Sequence, residues 1–346
     1  GAVSPTNKKS VFGLPKTISH FSFDKLSSLR PDMILIGGGN IIHFKRSEVV
    51  PYNNHRFSYA GLQFYPLLIR KQSNAKLVYN APSINIGRKV LLARVFLRYM
   101  FANANYLSFR DPVSVSAAAA MVDRAVRYVP DTAFDVSRVW PADRSIRPCH
   151  DKYFVVHVNS RYGGSITDTA GALDKISSST GFLAVLLPIG PCHGDAEYAA
   201  SIGHAMRFDN VVVSDYGLKK FANYIANSEI YLGSSMHGFI TALSYRVKAA
   251  LVLSSSPMPK FLGVLDHAQL GAKDTVFTDW LEAAAKFTGV KRIEEDCLQK
   301  IFSDLDLHWS NIRGIDSKTS GRNGFPFWIR WWKCVVWLEQ SGDMVG

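Results

Sequence analysis

The chain has 346 residues, of which 47% are hydrophobic and 20% are charged, a composition typical of a soluble globular protein with an ample core. Its length accommodates two domains of ordinary size, and no apolar run reaches the roughly 18 residues that a bilayer-spanning helix needs. The formal net charge of +12 is consistent either with an ordinary soluble surface or with an anionic partner, which could be a phosphorylated small molecule, an anionic membrane surface or nucleic acid.

Nucleic acid is the least favoured of these partners, because the basic residues are scattered and form no helix-turn-helix, zinc-finger or RNA-binding motif. The four cysteines are far apart and include no CxxC pair, which predicts reduced thiols in a cytoplasmic protein. Six histidines show no metal-ligand spacing and are predicted to be structural: His43, His55, His157, His193, His204 and His267. The sequence therefore predicts neither a metal nor a cofactor.

The first distinctive element is a buried strand at Asp32–Ile36 that runs into a glycine loop, Gly37-Gly38-Gly39-Asn40. The loop matches neither the dinucleotide-binding GxGxxG pattern nor a phosphate-binding P-loop. Two interpretations stay open. The loop is either a tight turn under a helix or bare backbone at Gly38, Gly39 and Asn40 that lets an acceptor or another ligand approach closely.

A second strand-to-helix junction places an arginine where an anion could bind. The strand Tyr106–Phe109 is followed by Arg110, then by Asp111 as a helix N-cap and Pro112 at the first helical position of a helix extending to Ala125. The guanidinium of Arg110 could grip a carboxylate or phosphate, or it could pair with a neighbouring carboxylate of the protein.

The segment Trp140–Asp151, rich in Pro, Arg and Asp, predicts an interdomain linker. Strands alternate with helices on both sides of it, which predicts an α/β fold of two parallel-sheet domains that face each other. We assign residues 1–145 to the N-terminal domain and 146–275 to the second domain. Helices that cross back follow at 276–308.

The most informative stretch is Glu229–Ile240. Ile230–Leu232 predicts a buried strand, Gly233-Ser234-Ser235 a turn with an N-cap hydroxyl, and Met236–Tyr245 a helix packed on a sheet. This pattern places His237 in the first helical turn, beyond the carboxyl end of a strand. In open α/β sheets ligands bind at that edge, and the free N–H groups of a helix N-terminus favour an anion.

The end of the chain differs from the rest. Residues 309–324 are polar and contain Gly and Ser, which predicts a linker. Residues 325–338 then hold four tryptophans and two basic residues, a pattern that suits a short interfacial helix at a membrane surface. A C-terminal helix covering the core is the alternative that stays open.

Several of these pieces together resemble the polysaccharide pyruvyl transferase family over roughly residues 30–275. The matching pieces, in chain order, are Ile-Leu-Ile-Gly-Gly-Gly-Asn at 34–40, Ser-Phe-Arg-Asp at 108–111, Val-Pro-Asp-Thr-Ala-Phe at 129–134, Leu-Leu-Pro-Ile at 186–189 with Asp195 following, Gly-Ser-Ser-Met-His at 233–237, and Lys260 with Phe261-Leu262 behind it. In one respect the chain departs from the family, because Ser235 stands where the family usually has an arginine.

The resemblance implies two Rossmann-like domains facing across a cleft in a glycosyltransferase-B-like arrangement, with the acceptor on the N-terminal side. It also implies transfer of the enolpyruvyl carbons of phosphoenolpyruvate to two hydroxyls of one sugar, in a polysaccharide or lipid-linked precursor made at the inner face of a membrane. His237 is then the catalytic acid, because an imidazole titrates near neutral pH. Arg110, Lys260, Ser234 and Ser235 are then predicted to bind phosphoenolpyruvate, which is a co-substrate and not a cofactor.

Two other functions compete with this one. A sugar-nucleotide-dependent glycosyltransferase of the same architecture often carries a glutamate or a second basic residue after its last strand, whereas here Leu253 is followed by Ser, Pro and Met up to Lys260. A non-catalytic binding module would make His237 and Arg110 incidental.

Overall fold

The computed structural model describes residues 30–42, 66–85 apart from 68 and 72, 91–149, 152–159, 164–189, 194–215, 217–254 and 259–317, with short pieces at 3–4, 18–19, 28, 46–47 and 57–58. The chain divides into two compact units. Unit 1 comprises Gly1–Thr132 and Ser303–Gly346, and unit 2 comprises Ala133–Phe302. Both are built around parallel sheets, so the predicted α/β class with Rossmann-like sheets is confirmed.

Unit 1 is centred on a four-stranded parallel sheet in the order β10-β9-β7-β3, with helices α1 (Leu91–Ala102) and α2 (Pro112–Ala119). Its strands are β1 (Val3–Ser4), β2 (Ile18–Ser19), β3 (Met33–Ile36), β4 (Gly39–Ile42), β5 (Arg46–Ser47), β6 (Phe57–Ser58), β7 (Lys76–Tyr79), β8 (Pro82–Ile84), β9 (Tyr106–Phe109) and β10 (Arg127–Tyr128). All four residues of β9 are buried, as expected for a parallel strand covered on both faces.

The predicted glycine loop is shorter than the sequence suggested. The chain leaves β3 at Gly37, and β4 begins at Gly39, where it pairs in parallel with β8. Gly39 and Asn40 are therefore strand residues, and the expectation that they lie in a loop was wrong. The backbone hydrogen bonds of the β4–β8 pair account for the difference, and neither turn chemistry nor periodicity in the sequence signals that pairing.

The junction after β9 forms as predicted at its start. Asp111 is the N-cap of α2, and its side chain accepts a hydrogen bond from the backbone N–H of Ser114 at 2.8 Å. The helix ends at Ala119, earlier than the predicted Ala125. There the N–H of Met121 bonds to the carbonyl of Ala118, a tightening typical of a last helical turn.

Unit 2 holds a six-stranded, wholly parallel sheet in the order β13-β12-β11-β14-β15-β16. The strands are β11 (Tyr153–His157), β12 (Leu183–Leu186), β13 (Asn210–Val212), β14 (Ile230–Gly233), β15 (Lys248–Val252) and β16 (Val276–Phe277). The helices are α3 (Val136–Val139), α4 (Ile166–Thr180), α5 (Asp195–Ala205), α6 (Leu218–Ala226), α7 (Met236–Ser244), α8 (Pro259–His267), α9 (Ala272–Thr275) and α10 (Trp280–Ala285). Helix α11 (Glu295–Ser317) begins in unit 2 and belongs to unit 1 from Ser303 onwards.

Counted within unit 2, this strand order is 3-2-1-4-5-6, the order of a Rossmann sheet. The order reverses between β11 and β14, which pair directly with each other from Phe154–Ile230 to His157–Gly233. Ligands of such sheets bind outside the carboxyl ends of the strands at this switch point. The fold therefore marks the ends of β11 and β14 as the place to look for chemistry.

The segment predicted as a linker is fixed to unit 2. The backbone N–H of Asp143 donates to the side-chain oxygen of Asn223 at 2.7 Å, and the Asn227 amide donates to the Asp143 carbonyl at 2.9 Å. The boundary between the two units accordingly lies after Thr132, ahead of the predicted domain boundary at residue 145.

Helix α11 extends beyond the sequence-based expectation. The crossing-back helices were predicted to end by residue 308 and to be followed by a linker from Trp309, but α11 continues to Ser317. Leu305, Trp309 and Ile312 are buried and continue the helical spacing of apolar residues. Exposed polar residues between them, such as Ser310, form the outer face of the helix and were mistaken for a linker.

A buried histidine anchors the end of α11 to the unit 1 sheet. His308 Nε2 lies 2.7 Å from Asn80 Oδ1, and its Nδ1 lies 2.9 Å from the hydroxyl of Tyr106 in β9. Burial, with a smaller contribution from the charge of Arg127, lowers the pKa of His308 from 6.5 to about 3. The imidazole is therefore neutral in the folded protein.

This histidine predicts a pH dependence of stability. Because the folded-state pKa is depressed, the contribution of His308 is fully present above pH 6.5 and is lost as the pH falls towards about 3. Urea unfolding at a series of pH values should show a free energy of unfolding that falls less steeply with acidification in His308→Asn than in the wild type. Exposed His204 provides the matched control, and equal slopes in the His308 variant and wild type would contradict the assignment.

Among the described residues, no helix is long and apolar enough to cross a membrane. The tryptophan-rich stretch at 325–338 and the polar stretch that follows Ser317 lie outside the described residues.

Candidate active site

His237 lies at the carboxyl edge of the unit 2 sheet, two residues into the nine-residue helix α7 that follows β14. Ser235 is the N-cap of this helix, and its hydroxyl accepts a hydrogen bond from the N–H of Gly238 at 3.3 Å. The capping hydroxyl and the position of His237 in the first turn are as predicted, and β14 includes Gly233, which was predicted to lie in the turn. His237 is half-buried, and the helix it opens starts at the switch point of the sheet.

Two glycines allow the close packing that holds this turn. A Cβ on Gly233 would lie 2.7 Å from the carbonyl oxygen of His157 on the neighbouring strand. A Cβ on Gly238 would lie 2.3 Å from the hydroxyl of Tyr231, whose ring is buried under the helix and whose hydroxyl donates to the Ser235 carbonyl at 3.3 Å. Only glycine fits at either position, so the backbone of the turn is fixed tightly against β11 and β14.

A buried hydrogen-bonded chain lies beside the turn. His157, the last residue of β11, places its Nε2 3.0 Å from Asp195 Oδ2 and its Nδ1 3.3 Å from Ser234 Oγ. The other carboxylate oxygen of Asp195 accepts a hydrogen bond from the side-chain amide of Asn159 at 2.7 Å. Three of the four residues follow or end strands, and Asp195 begins α5, so the order of the sheet brings them together.

Lys260 begins the next helix along the same edge. It is the second residue of α8, which follows β15, the neighbour of β14 in the sheet. Its ammonium lies 5.2 Å from the centroid of the Phe261 ring, a cation–π distance. Unit 2 therefore places a histidine and a lysine in the first turns of two successive helices at one sheet edge.

Arg110 belongs to unit 1 and is buried, with 1% of its surface exposed. One of its terminal nitrogens lies 2.6 Å from Asp131 Oδ2, and its Nε donates to Ser83 Oγ at 2.9 Å. This is the neighbouring-carboxylate pairing that the sequence left open. A contact of Arg110 with phosphoenolpyruvate stays a prediction.

The remaining predicted residues are also in unit 1. Gly38 and Gly39 are buried at the carboxyl edge of β3, and Asn40 follows in β4. Their role towards an acceptor stays a prediction. Among the described residues, no group of three or more His, Cys, Asp or Glu side chains could hold a metal ion.

The sequence profile of the polysaccharide pyruvyl transferase family matches residues 4–257, which is most of the chain. The chain belongs to this family. The predicted family is therefore confirmed. As a member of a pyruvyl transferase family, the protein is a transferase. No curated protein sequence matches it significantly.

Solved structures resemble this pyruvyl transferase family member in fold. They include a protein from Listeria monocytogenes assigned as a UDP-N-acetylglucosamine 2-epimerase (TM-score 0.55, 12% identity, 87% of this chain and 80% of that chain covered). The S. aureus MnaA–UDP co-structure (0.51, 13%, 82% and 74%) and the Methanocaldococcus jannaschii UDP-GlcNAc 2-epimerase (0.50, 10%, 83% and 79%) are similar as well. At these identities the likeness concerns the glycosyltransferase-B-like fold alone.

Sequence reasoning about this family member missed the chain through His157. The histidine was predicted to be structural because no metal-ligand spacing surrounds it, and Asp195 was noted only within the family resemblance. A usable signal was present, since a histidine that ends a buried strand in a Rossmann-like unit points to the ligand-binding edge of the sheet.

Proposed function

We propose that this protein transfers the enolpyruvyl carbons of phosphoenolpyruvate to two hydroxyls of one sugar, forming a cyclic pyruvate ketal and releasing phosphate. The sugar belongs to a polysaccharide or to a lipid-linked precursor. The observation that carries the proposal is the position of His237, in the first turn of α7 at the switch point of the sheet, in a member of the pyruvyl transferase family.

The chemistry requires a proton donor at this position. As a sugar oxygen attacks C2 of phosphoenolpyruvate, the methylene carbon must take up a proton, and an imidazolium is a suitable donor near neutral pH. The N-terminus of α7 supplies free N–H groups and a positive dipole end towards an anion. In this proposal, His237 protonates the methylene carbon of phosphoenolpyruvate, and the N-terminus of α7 binds its anionic part.

Lys260 and Ser235 complete the proposed anion site. Lys260 would neutralise phosphate as a point charge from the first turn of α8. Ser235, which stands where the family usually has an arginine, caps α7 and so keeps its first N–H groups in place. In this proposal, the missing cation is compensated by Lys260 and by the helix N-terminus.

The test is an incubation with phosphoenolpyruvate and a panel of nucleotide-linked and lipid-linked hexoses and N-acetylhexosamines, with phosphate release as the measurement. Phosphate release that needs both phosphoenolpyruvate and a saccharide would support the proposal. Consumption of a sugar nucleotide with release of its nucleotide, and no use of phosphoenolpyruvate, would overturn it in favour of a glycosyltransferase. Binding of either compound without turnover would favour a non-catalytic module.

We also propose that the protein works at the cytoplasmic face of a membrane, which it reaches through the four tryptophans and two basic residues at 325–338. Sedimentation with vesicles containing anionic lipid should decrease when residues 325–346 are deleted, while phosphate release with a water-soluble acceptor persists. Equal sedimentation of the two proteins would refute this part of the proposal.

A further inference from the structure

A second histidine lies at the same sheet edge as His237. Both ring nitrogens of His157 have a hydrogen-bonding partner. Nε2 lies 3.0 Å from Asp195 Oδ2, and Nδ1 lies 3.3 Å from Ser234 Oγ. Asp195 is itself held by Asn159 at 2.7 Å. An imidazole bridging a buried carboxylate and a serine hydroxyl is the arrangement that activates a hydroxyl in acid–base catalysis.

The hydrogen-bonding capacities of these groups fix their directions. An ionised carboxylate can only accept hydrogen bonds, so Nε2 of His157 carries the proton that bonds to Asp195. In the neutral imidazole, Nδ1 then has a free lone pair, and Ser234 donates its hydroxyl proton to it. The oxygen of Ser234 is left to accept a hydrogen bond from a third group.

The exposed fractions of the three side chains indicate where such a group can approach. Asp195 is 1% exposed and His157 is 4% exposed, whereas Ser234, at the end of the chain of hydrogen bonds, is 8% exposed. Gly233 fixes the spacing between the two strand ends, because it brings the backbone of β14 against His157. Tyr231 also lies near Asp195, and burial raises the pKa of its hydroxyl, so it stays a neutral phenol.

We propose that Ser234, His157 and Asp195 form a proton relay that removes the proton from an acceptor hydroxyl while His237 protonates phosphoenolpyruvate. The inference rests on the proposed function and supplies the general base of the proposed reaction. Ser234 then contacts the hydroxyl of the saccharide in place of the predicted contact with phosphoenolpyruvate. Asp195 is a positioning residue that holds the reactive tautomer of His157.

The first step joins one sugar oxygen to phosphoenolpyruvate. The first hydroxyl oxygen bonds to C2, and the electron pair of the C2=C3 double bond takes the proton of the His237 imidazolium. The hydroxyl proton passes to Ser234 Oγ as the proton of Ser234 passes to His157 Nδ1. The intermediate carries both the sugar oxygen and the phosphate on C2, with His237 neutral and His157 protonated.

The second step restores both histidines. The second hydroxyl oxygen bonds to C2, and the bond between C2 and the phosphate oxygen breaks with its electron pair on phosphate. The proton of the second hydroxyl returns to His237, and the proton on His157 returns through Ser234 to the departing phosphate. Ketal carboxylate and hydrogen phosphate leave, so one hydroxyl proton is on carbon and the other on phosphate.

The deciding variant is Ser234→Ala, which removes the end of the relay and leaves the packing of His157 and Asp195 in place. We expect kcat to fall by about 10²-fold or more while KM for phosphoenolpyruvate stays within about threefold. Ser234→Thr keeps a hydroxyl and should recover most of the lost kcat.

Ser235→Ala is the matched control, because it deletes the neighbouring hydroxyl that caps α7. It should raise KM for phosphoenolpyruvate, in contrast to the nearly unchanged KM expected for Ser234→Ala. An unchanged kcat in Ser234→Ala, or a raised KM with unchanged kcat, would overturn the relay. A wild-type protein that does not consume phosphoenolpyruvate at all would instead overturn the proposed function.

A spectroscopic measurement tests the relay without turnover. Long-range ¹H–¹⁵N spectra of the wild-type protein should show the proton of His157 on Nε2. In Asp195→Asn the side-chain amide can donate to Nε2, so the proton should move to Nδ1. A proton on Nδ1 in the wild type would overturn the assignment.

Discussion

His237→Ala is expected to lower kcat by about 10²–10⁴-fold, the usual contribution of a positioned general acid. Affinity for phosphoenolpyruvate should change little, because the N-terminus of α7 and Lys260 remain as the proposed anion contacts. Turnover is measured as phosphate release, and binding by titration calorimetry with phosphoenolpyruvate alone. A large loss of kcat with retained binding is the combination that identifies a proton donor.

A matched control is available in the same unit. His204 is an exposed histidine of α5, and its ring Nδ1 lies 2.8 Å from the carbonyl of Ala200 within its own helix. His204→Ala should keep wild-type turnover, which would show that loss of an imidazole from unit 2 does not by itself disturb the site. Wild-type rates in His237→Ala would refute the catalytic role of that residue.

Arg110→Met is expected to lower the free energy of unfolding by about 3–5 kcal/mol, because it leaves the carboxylate of Asp131 buried without its cation. Both side chains are 1% exposed, so water cannot solvate the orphaned charge. Chemical denaturation of the two proteins measures the difference. Lys286→Met, which breaks an exposed pair with Glu282, should cost about 0.5 kcal/mol or less and serves as the control.

The double variant Arg110→Met/Asp131→Leu separates stability from ligand binding. Replacing both charges with apolar side chains removes the orphaned carboxylate, so most of the lost stability should return. If Arg110 also binds phosphoenolpyruvate, the single and the double variant should lose affinity for it to the same extent. Restored stability with wild-type affinity would limit Arg110 to its structural ion pair, and an unchanged stability in the single variant would contradict the burial argument.

Much of the fold followed from the sequence because the strands of parallel sheets are short apolar runs bounded by turn residues. Strand β9 begins and ends at the predicted residues, and α7 begins at its predicted cap. Local chemistry decides such elements, and local chemistry can be seen in a sequence. The hydroxyl of Ser235 and the apolar run before it were sufficient to predict where α7 begins.

The errors arose where distant parts of the chain decide the structure. Arg110 and Asp131 are brought together by the pairing of β9 with β10, so the sequence could not choose between this carboxylate and a ligand. His157 and Asp195 meet because β11 and α5 reach the same edge of the sheet, although 38 residues separate them. The extension of α11 was missed because His308 finds its partner Tyr106 in a strand formed more than 200 residues earlier.

The central claim is that His237 delivers a solvent-exchangeable proton to the methylene carbon of phosphoenolpyruvate during transfer to a sugar. The most direct measurement is NMR spectroscopy of the product formed in D₂O from phosphoenolpyruvate and an accepted saccharide. We expect a ketal carbon bonded to two sugar oxygens and a methyl group that carries a single deuteron, with correspondingly little product from His237→Ala in the same time. A product that lacks the ketal carbon, or a methyl group that contains no deuterium, would contradict it.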